Sequence, residues 1–415
     1  MLKRFPCLVA LLIIASLVVS SCRGKTEAPT LKIVSSLPLT GSARLQSEAI
    51  VNGMQLRVEQ AGNEACDGNY QIVYESWDDA SASLGKWDPE VEEQNANNAV
   101  NDKSVVAYLG TFNSGAAKIA MPILNLAGMV MISPGNTYPG LTHKAEGMTE
   151  ANEPYVYFPN GVRNFVRLVA TDDLQGPVIV NFMASEGIKS AYILNDGEVY
   201  GKGVAEAVVL SSKNAGITIV GDEAYDPNAK DYMALMEKIS TSNNGGAPDA
   251  IFLGGIVENN AGQLLKDKVT VLGDNQKVKF IGPDGIYTEG LVETAGDAAE
   301  GVFATTPGLA LADLGEEGQK FYADYAKRFG ETTEPYAIMG YETMNVALHA
   351  IESVCAAGGD PKARQSVRDA VFAIKEFQGA LGVWAFDSNG DITIPYFLVG
   401  QVQGGKFVQF GTYTP

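Results

Sequence analysis

Short apolar runs rich in Val, Ile and Leu alternate along this chain with longer stretches of helical periodicity. The runs fall at residues 31–37, 70–76, 105–109 and 130–133, then again at 191–194, 217–220, 250–253 and 278–281. Helical patterns at 43–61, 115–127, 176–185, 199–215 and 232–240 lie between them. Strands that are apolar on both faces must be covered on both faces, and parallel strands need a crossover helix between them. The alternation therefore predicts an α/β fold. Its occurrence as two series predicts two such domains side by side.

The beginning of the chain is set apart. Lys3 and Arg4 precede an apolar stretch at 7–19, the right length for an export signal and short for a membrane span. Val19-Ser20-Ser21-Cys22 follows. A lone Cys after small residues resembles the lipobox of bacterial lipoproteins, in which Cys22 would become the lipidated N-terminus. An ordinary secretion signal with an incidental Cys is the alternative. We take 1–21 as signal and 22–30 as a polar tether. What remains is about 390 residues, more than one hydrophobic core usually serves. No second stretch is long and apolar enough to span a bilayer, so an exported, soluble body is expected.

Without Lys3 and Arg4, 28 basic residues face 49 acidic ones, a formal charge of −21. That balance argues against nucleic acid and acidic membrane surfaces as partners. Cys66 and Cys355 are the cysteines left after Cys7 and Cys22 are accounted for. An even pair in an oxidising compartment predicts a disulfide, with two separate buried thiols as the alternative. Neither spacing fits a metal site.

Three further features are expected from pattern. The segment 81–93 is polar and interrupted by Pro89, an insertion leading into a helix that ends near Asn101. Pro122 in the 115–127 helix is tolerable near its start or at a kink. In the tail, 335–356 is one long helix, 382–386 and 394–400 are paired strands around a 388–391 turn, and 407–411 is a last strand.

Ligands of open α/β folds gather at the carboxyl ends of strands. After 105–109 comes Gly110-Thr111-Phe112-Asn113-Ser114-Gly115, which would place Ser114 and free N–H groups at a helix start suited to a carboxylate. Ser114 as a plain N-cap is the alternative. After 130–133 comes Pro134-Gly135-Asn136-Thr137, with a small residue and a hydroxyl. After 278–281 comes Gly282-Pro283-Asp284-Gly285, where Asp284 would face a cation or satisfy its own turn. Anion donors on one side and a carboxylate on the other suit a zwitterion. Catalysis has little support. His143 and His349 are the only histidines, and no Ser-His-Asp arrangement, Walker loop, Gly-x-Gly-x-x-Gly or Gly-x-Ser-x-Gly motif can be placed.

The phrases LKIVSSLPLTG, YLGTFNSGAA, MISPGNTYPGLT, ILNDGEVYGKG, FIGPDG and AGDAAEGVF together resemble the periplasmic leucine/isoleucine/valine-binding proteins, the type I solute receptors of ABC importers. The resemblance covers nearly the whole mature chain in order. It implies two similar parallel-sheet lobes joined by a three-strand hinge, with crossovers near 157–159, 301–305 and 378–383. Lobe 1 would be 31–157 with 305–378, and lobe 2 would be 158–304 with 379–415. Cys66 and Cys355 would then share lobe 1.

By the same resemblance, Ser114, Gly135 and Thr137 hold the ligand's carboxylate, Gly135 through its backbone. Asp284 meets the ammonium, and Tyr200 closes over the ligand. Phe112 lines the carboxylate loop, and Arg44 lies near the mouth. Ile256 and Gln46 stand where the family often carries aromatics, so the ligand need not be leucine. The resemblance implies no cofactor and no enzyme activity. It implies a monomeric receptor, lipid-anchored at the membrane or in the periplasm, that delivers an amino acid or a related small amide to the membrane subunits of an ABC importer. A same-fold sensory receptor feeding a signalling system is the alternative.

Overall fold

A computed structural model describes residues 28–415. The signal segment 1–21, Cys22 and most of the tether lie outside the described residues.

Two sheets carry the fold. The first runs in the order Glu64–Ala65, Tyr70–Asp78, Thr30–Leu37, Val105–Gly110, Val130–Ser133, Phe165–Arg167, and all but the first pairing are parallel. The second runs Thr218–Ala224, Ser190–Asn195, Ala250–Gly254, Lys279–Gly282, Phe303–Pro307 in parallel, then adds Phe397–Gln403 and Lys406–Tyr413 antiparallel at one edge. The expected strands are all present. The central ones, Val105–Gly110, Val130–Ser133 and Ala250–Gly254, are buried at every residue, as strands covered on both faces should be.

The helices pack by their small faces. Ser114–Leu126 runs through Pro122, so that Pro sits well inside the helix rather than near its start. Pro89 does not interrupt an insertion: it opens the helix Pro89–Asn101, with the Asp88 carboxylate accepting from Glu90 N–H at 2.9 Å. That is proline's favoured place, where its missing N–H costs nothing. Ahead of it, Ala80–Ser81 and Lys86–Trp87 form a small hairpin. Gly176, in the helix Asp172–Ser185, lies against Ala207, where an added Cβ would meet backbone at 2.7 Å. Glycine there lets that helix approach Val199–Ala215 closely.

The tail departs from expectation. Gly382–Trp384 pairs with Phe377–Gly379, not with 394–400. Around the 388–391 turn only a single Phe386–Ile392 bridge forms. Trp384, Phe386 and Ile392 instead pack into the core of the first half. Cys66 and Cys355 are joined, with Cα atoms 5.8 Å apart, tying the turn after Glu64–Ala65 to the long helix Ala337–Ala356.

The chain passes between the sheets later than expected at each crossing. Phe165–Arg167 still pairs with the first sheet and Phe303–Pro307 belongs to the second, while Phe377 to Ile392 packs with the first core. The passing segments are 168–171, 308–310 and 393–396. Leu168, Gly308 and Tyr396 border one small common cavity, and Gly308 N–H donates to Tyr396 O at 2.9 Å.

Candidate functional site

Residues at the carboxyl ends of both sheets meet across the gap between the halves, and all but one of the predicted residues lie at these ends. On the first half, Ser114 begins its helix, so the N–H groups of its first turn have no partner within the helix. Ser114 Oγ accepts from Tyr138 N–H at a long 3.4 Å. Thr137 is fully buried, and its hydroxyl has no hydrogen-bond partner in the protein. Together these leave a hydroxyl and helix N–H groups available to an anion.

Gly135 is used differently from what was expected. Its N–H is already donated to Ser133 Oγ at 3.1 Å, beside Asn136 N–H at 2.8 Å. Its lack of a side chain matters more: a Cβ there would lie 2.8 Å from the Phe112 ring. Phe112 in turn meets Tyr336 edge-on, with ring centroids 5.4 Å apart.

Arg167 fixes this loop. It is fully buried. It donates to the carbonyls of Asn136 and Tyr138 at 2.9 and 2.8 Å and to Asp391 Oδ1 at 2.6 Å. The carbonyls on either side of Thr137 are thereby held in place. Arg167 also donates to the Thr142 hydroxyl, and His143 sits between Asp173 and Asp391 at 3.1 and 3.0 Å.

On the second half, Asp284 is 2 % exposed. Tyr200 Oη donates to its Oδ1 at 2.8 Å and accepts from Gly285 N–H at 2.9 Å. Tyr336, the residue before the long helix of the first half, reaches across to donate to Asp284 Oδ2 at 2.7 Å. Burial raises the Asp284 carboxyl above the usual range, against the lowering effect of the hydrogen bonds from Tyr336, Gln175 and Tyr200. Gln46 Nε2 touches Asp284 O at 3.3 Å, and Gln46 Oε1 has no partner. Ile256 is buried against Tyr200 and lies where a Cβ on Gly285 would touch it. Arg44 points away, in an exposed ion pair with Glu48 at 2.7 Å, so it is not brought to the site.

Sequence reasoning missed Tyr336, Asp172 and Gln175. Asp172 is fully buried, neither of its carboxylate oxygens has a partner, and its N–H donates to Thr137 O at 2.9 Å. Burial, then the nearby charge of Asp284, pushes its carboxyl well above the ordinary range, against the lowering effect of the adjacent Thr137 hydroxyl and of Arg167. One turn on, Gln175 donates to Thr305 Oγ1 at 2.9 Å and leaves its own Oε1 unpartnered. Asp172 and Gln175 lie in the first turn of a helix directly after 168–171, where the chain passes between the sheets, a position that strand-end inspection does not reach.

Buried polar atoms are almost always paired in folded proteins. Here Thr137, Asp172, Gln175 and Gln46 each keep an unpaired oxygen. Four such residues gathered near Asp284 mark a place built to bind.

A family model described as periplasmic binding protein matches residues 30–406. The Leu/Ile/Val-binding protein of Rhizobium johnstonii is 26% identical over 372 residues, covering 89% of this chain and 91% of that protein. The leucine-, isoleucine-, valine-, threonine-, and alanine-binding protein of Pseudomonas aeruginosa is 26% identical over 366 residues, 88% of each. Among solved structures, a leucine binding protein from Thermotoga maritima superposes with a TM-score of 0.77 at 21% identity, covering 93% of this chain and 99% of that one.

Proposed function

Because the chain belongs to the periplasmic binding protein family, and is therefore a solute-binding receptor rather than an enzyme, we propose that its ligand is an amino acid clasped between the two halves. The observation that carries this reading is Asp284, a buried carboxylate held by phenols from both halves and faced by a second carboxylate, Asp172. Two carboxylates confined together repel, and an ammonium relieves that repulsion while satisfying both. The ligand's carboxylate end is supported by the Ser114 helix start and by the Thr137 hydroxyl, which also lies beside Asp172.

Closure follows the same logic. The first lobe is taken as 31–167 with 308–392 and the second as 172–307 with 397–415, moving about the three hinge segments. The open receptor presents the carboxylate half-site on one lobe and the ammonium half-site on the other. Closure removes water from both and strengthens each charged hydrogen bond. The closed surface is then read by the membrane subunits of an ABC importer. Lipid on Cys22 holds the monomeric receptor near them, since several acyl chains anchor where one binds only reversibly.

Calorimetry with a panel of amino acids on the wild type and Asp284→Ala tests the reading. A ligand of the wild type should lose at least 100-fold in affinity in the variant, with the melting temperature little changed. Equal affinities would sink the assignment.

A further inference from the structure

The hairpin between Asp79 and Asp88 reaches from the first lobe to the second. Its roots are fixed to the first lobe. Asp79 N–H donates to Leu37 O at 3.1 Å, and Asp88 N–H donates to Asp79 O at 2.8 Å. The Asp78 carboxylate accepts from Leu39 and Ala80 N–H at 2.9 and 2.8 Å. Its tip is seated as well. Gly41, at φ +98, lies so close that an added Cβ would run into Gly85 O. Only glycine allows that approach.

Two adjacent residues of the hairpin meet the second lobe. Lys86 Nζ donates to Glu198 Oε1 at 2.5 Å and to Asn259 Oδ1 at 2.8 Å. Trp87 is buried in one apolar cluster with Tyr200, Val204 and Ile256 of the second lobe. Its ring would lie 2.6 Å from a Cβ on Gly115, the residue after Ser114. Trp87 therefore packs beside the helix start assigned to the ligand's carboxylate.

The receiving groups are set in advance. Asn259 Nδ2 donates to Asp196 Oδ2 at 2.8 Å, which turns the amide so that its oxygen faces Lys86. Asp196 also accepts from the N–H groups of Glu198 and Ile256 at 3.0 and 3.1 Å. Glu198 stands immediately before the helix Val199–Ala215, whose second residue is Tyr200. These bonds all lie within the second lobe, so both acceptors are held without help from Lys86. The Lys86 and Glu198 side chains are 23% and 21% exposed, which shelters the pair more than an open surface pair.

We propose that the hairpin 80–87 is a strap across the cleft and that Lys86 is its clip, a positioning residue that holds Glu198, and with it Tyr200, against the first lobe when the lobes close. This rests on the reading that the ligand is clasped between the lobes. The clip touches no ligand. It engages after the ligand has entered, so it governs how long the closed state lasts. Ligand leaves only after Lys86 has parted from both acceptors. Association takes place on the open receptor and does not involve the clip.

Stopped-flow binding of leucine, threonine, glutamine and lysine tests this on the wild type, Lys86→Met, Glu198→Gln, their double variant and Lys86→Arg. For whichever of these amino acids the wild type binds, Lys86→Met should release it about three- to tenfold faster with association unchanged, the range for a partly sheltered charged hydrogen bond. The double variant should be no faster than Lys86→Met, and Lys86→Arg should recover most of the loss. Unchanged release from Lys86→Met, or additive effects in the double variant, overturns the clip and leaves the amino-acid reading standing. A second arm needs no ligand. Lys86→Cys with Glu198→Cys, joined by a short bis-maleimide, should be more compact in small-angle X-ray scattering than either single variant treated alike. Equal radii of gyration overturn the strap. A compact cross-linked protein whose wild type binds none of the four amino acids keeps the strap and counts against the amino-acid reading.

Discussion

Tyr336 Oη donates to Asp284 Oδ2 at 2.7 Å, joining the helix Ala337–Ala356, packed in the first core, to the loop after the strand Lys279–Gly282 of the second sheet. The bond bridges the two sheets' halves, and its acceptor is the carboxylate assigned to the ammonium. Removing the phenol should therefore weaken ligand binding more than it weakens folding. A hydrogen bond to a charged group contributes about 1.5–3 kcal/mol. Tyr336→Phe should lose about 10- to 100-fold in affinity by calorimetry, with its melting temperature nearly unchanged.

Asp172 and Asp284 oppose closure unless a cation lies between them. Replacing one carboxylate by its amide removes the repulsion. Asp172→Asn without ligand should be more compact than the ligand-free wild type in small-angle X-ray scattering, and added amino acid should compact it less. An unchanged radius of gyration would contradict the role given to this pair.

Gly135 faces Phe112 closely enough that a Cβ would lie 2.8 Å from its ring. Phe112 cannot retreat freely, because Tyr336 packs on its edge. Overpacking of this kind costs about 1–3 kcal/mol. Gly135→Ala should displace Phe112 and weaken binding about tenfold, a loss that the double variant Gly135→Ala with Phe112→Leu partly restores.

Cys66 and Cys355 close a separation of 289 residues within the first lobe. A cross-link over so long a loop removes much of the freedom of the unfolded chain. Its loss typically costs about 2–5 kcal/mol. Cys66→Ser, or reduction of the wild type, should lower the melting temperature by several degrees and leave ligand affinity nearly unchanged.

His143 couples the Thr137 loop to pH. Burial alone would lower its imidazole, but Asp173 and Asp391 overcome this and raise it to about 9 from 6.5. A group raised on folding stabilises the protein fully below its unfolded value and loses that contribution as pH rises through its folded value. Wild-type stability should therefore decline between about pH 6.5 and 9 more steeply than that of His143→Gln, as read from thermal melts across that range.

The strands and most helices were legible because their apolar periodicity is strong and their ends carry plain signals. Val130–Ser133 and Val199–Ala215 were bounded as the structure has them. The tail was not, because the pairing partner of Gly382–Trp384 is set by packing against the first core, which a local pattern does not encode. The same holds for the hinge positions. Ser114, Thr137, Tyr200 and Asp284 were reached by inspecting strand ends and by family resemblance. Asp172 and Tyr336 were not, because what makes them part of the site is a partner far away in sequence: Asp284 is their common neighbour. An Asp beginning a helix reads as an ordinary helix start until its carboxylate is found buried and unpaired.

The central claim is that both ends of a zwitterion are held at once, and truncated ligands test it most directly. The amino acid that binds best should be compared by calorimetry with its desamino acid and its decarboxylated amine on the same wild-type protein. Losses of 100-fold or more for both analogues are expected, one for each end of the ligand. A desamino acid that binds as tightly as the amino acid would contradict the role of Asp284 and Asp172, and with it the proposed function.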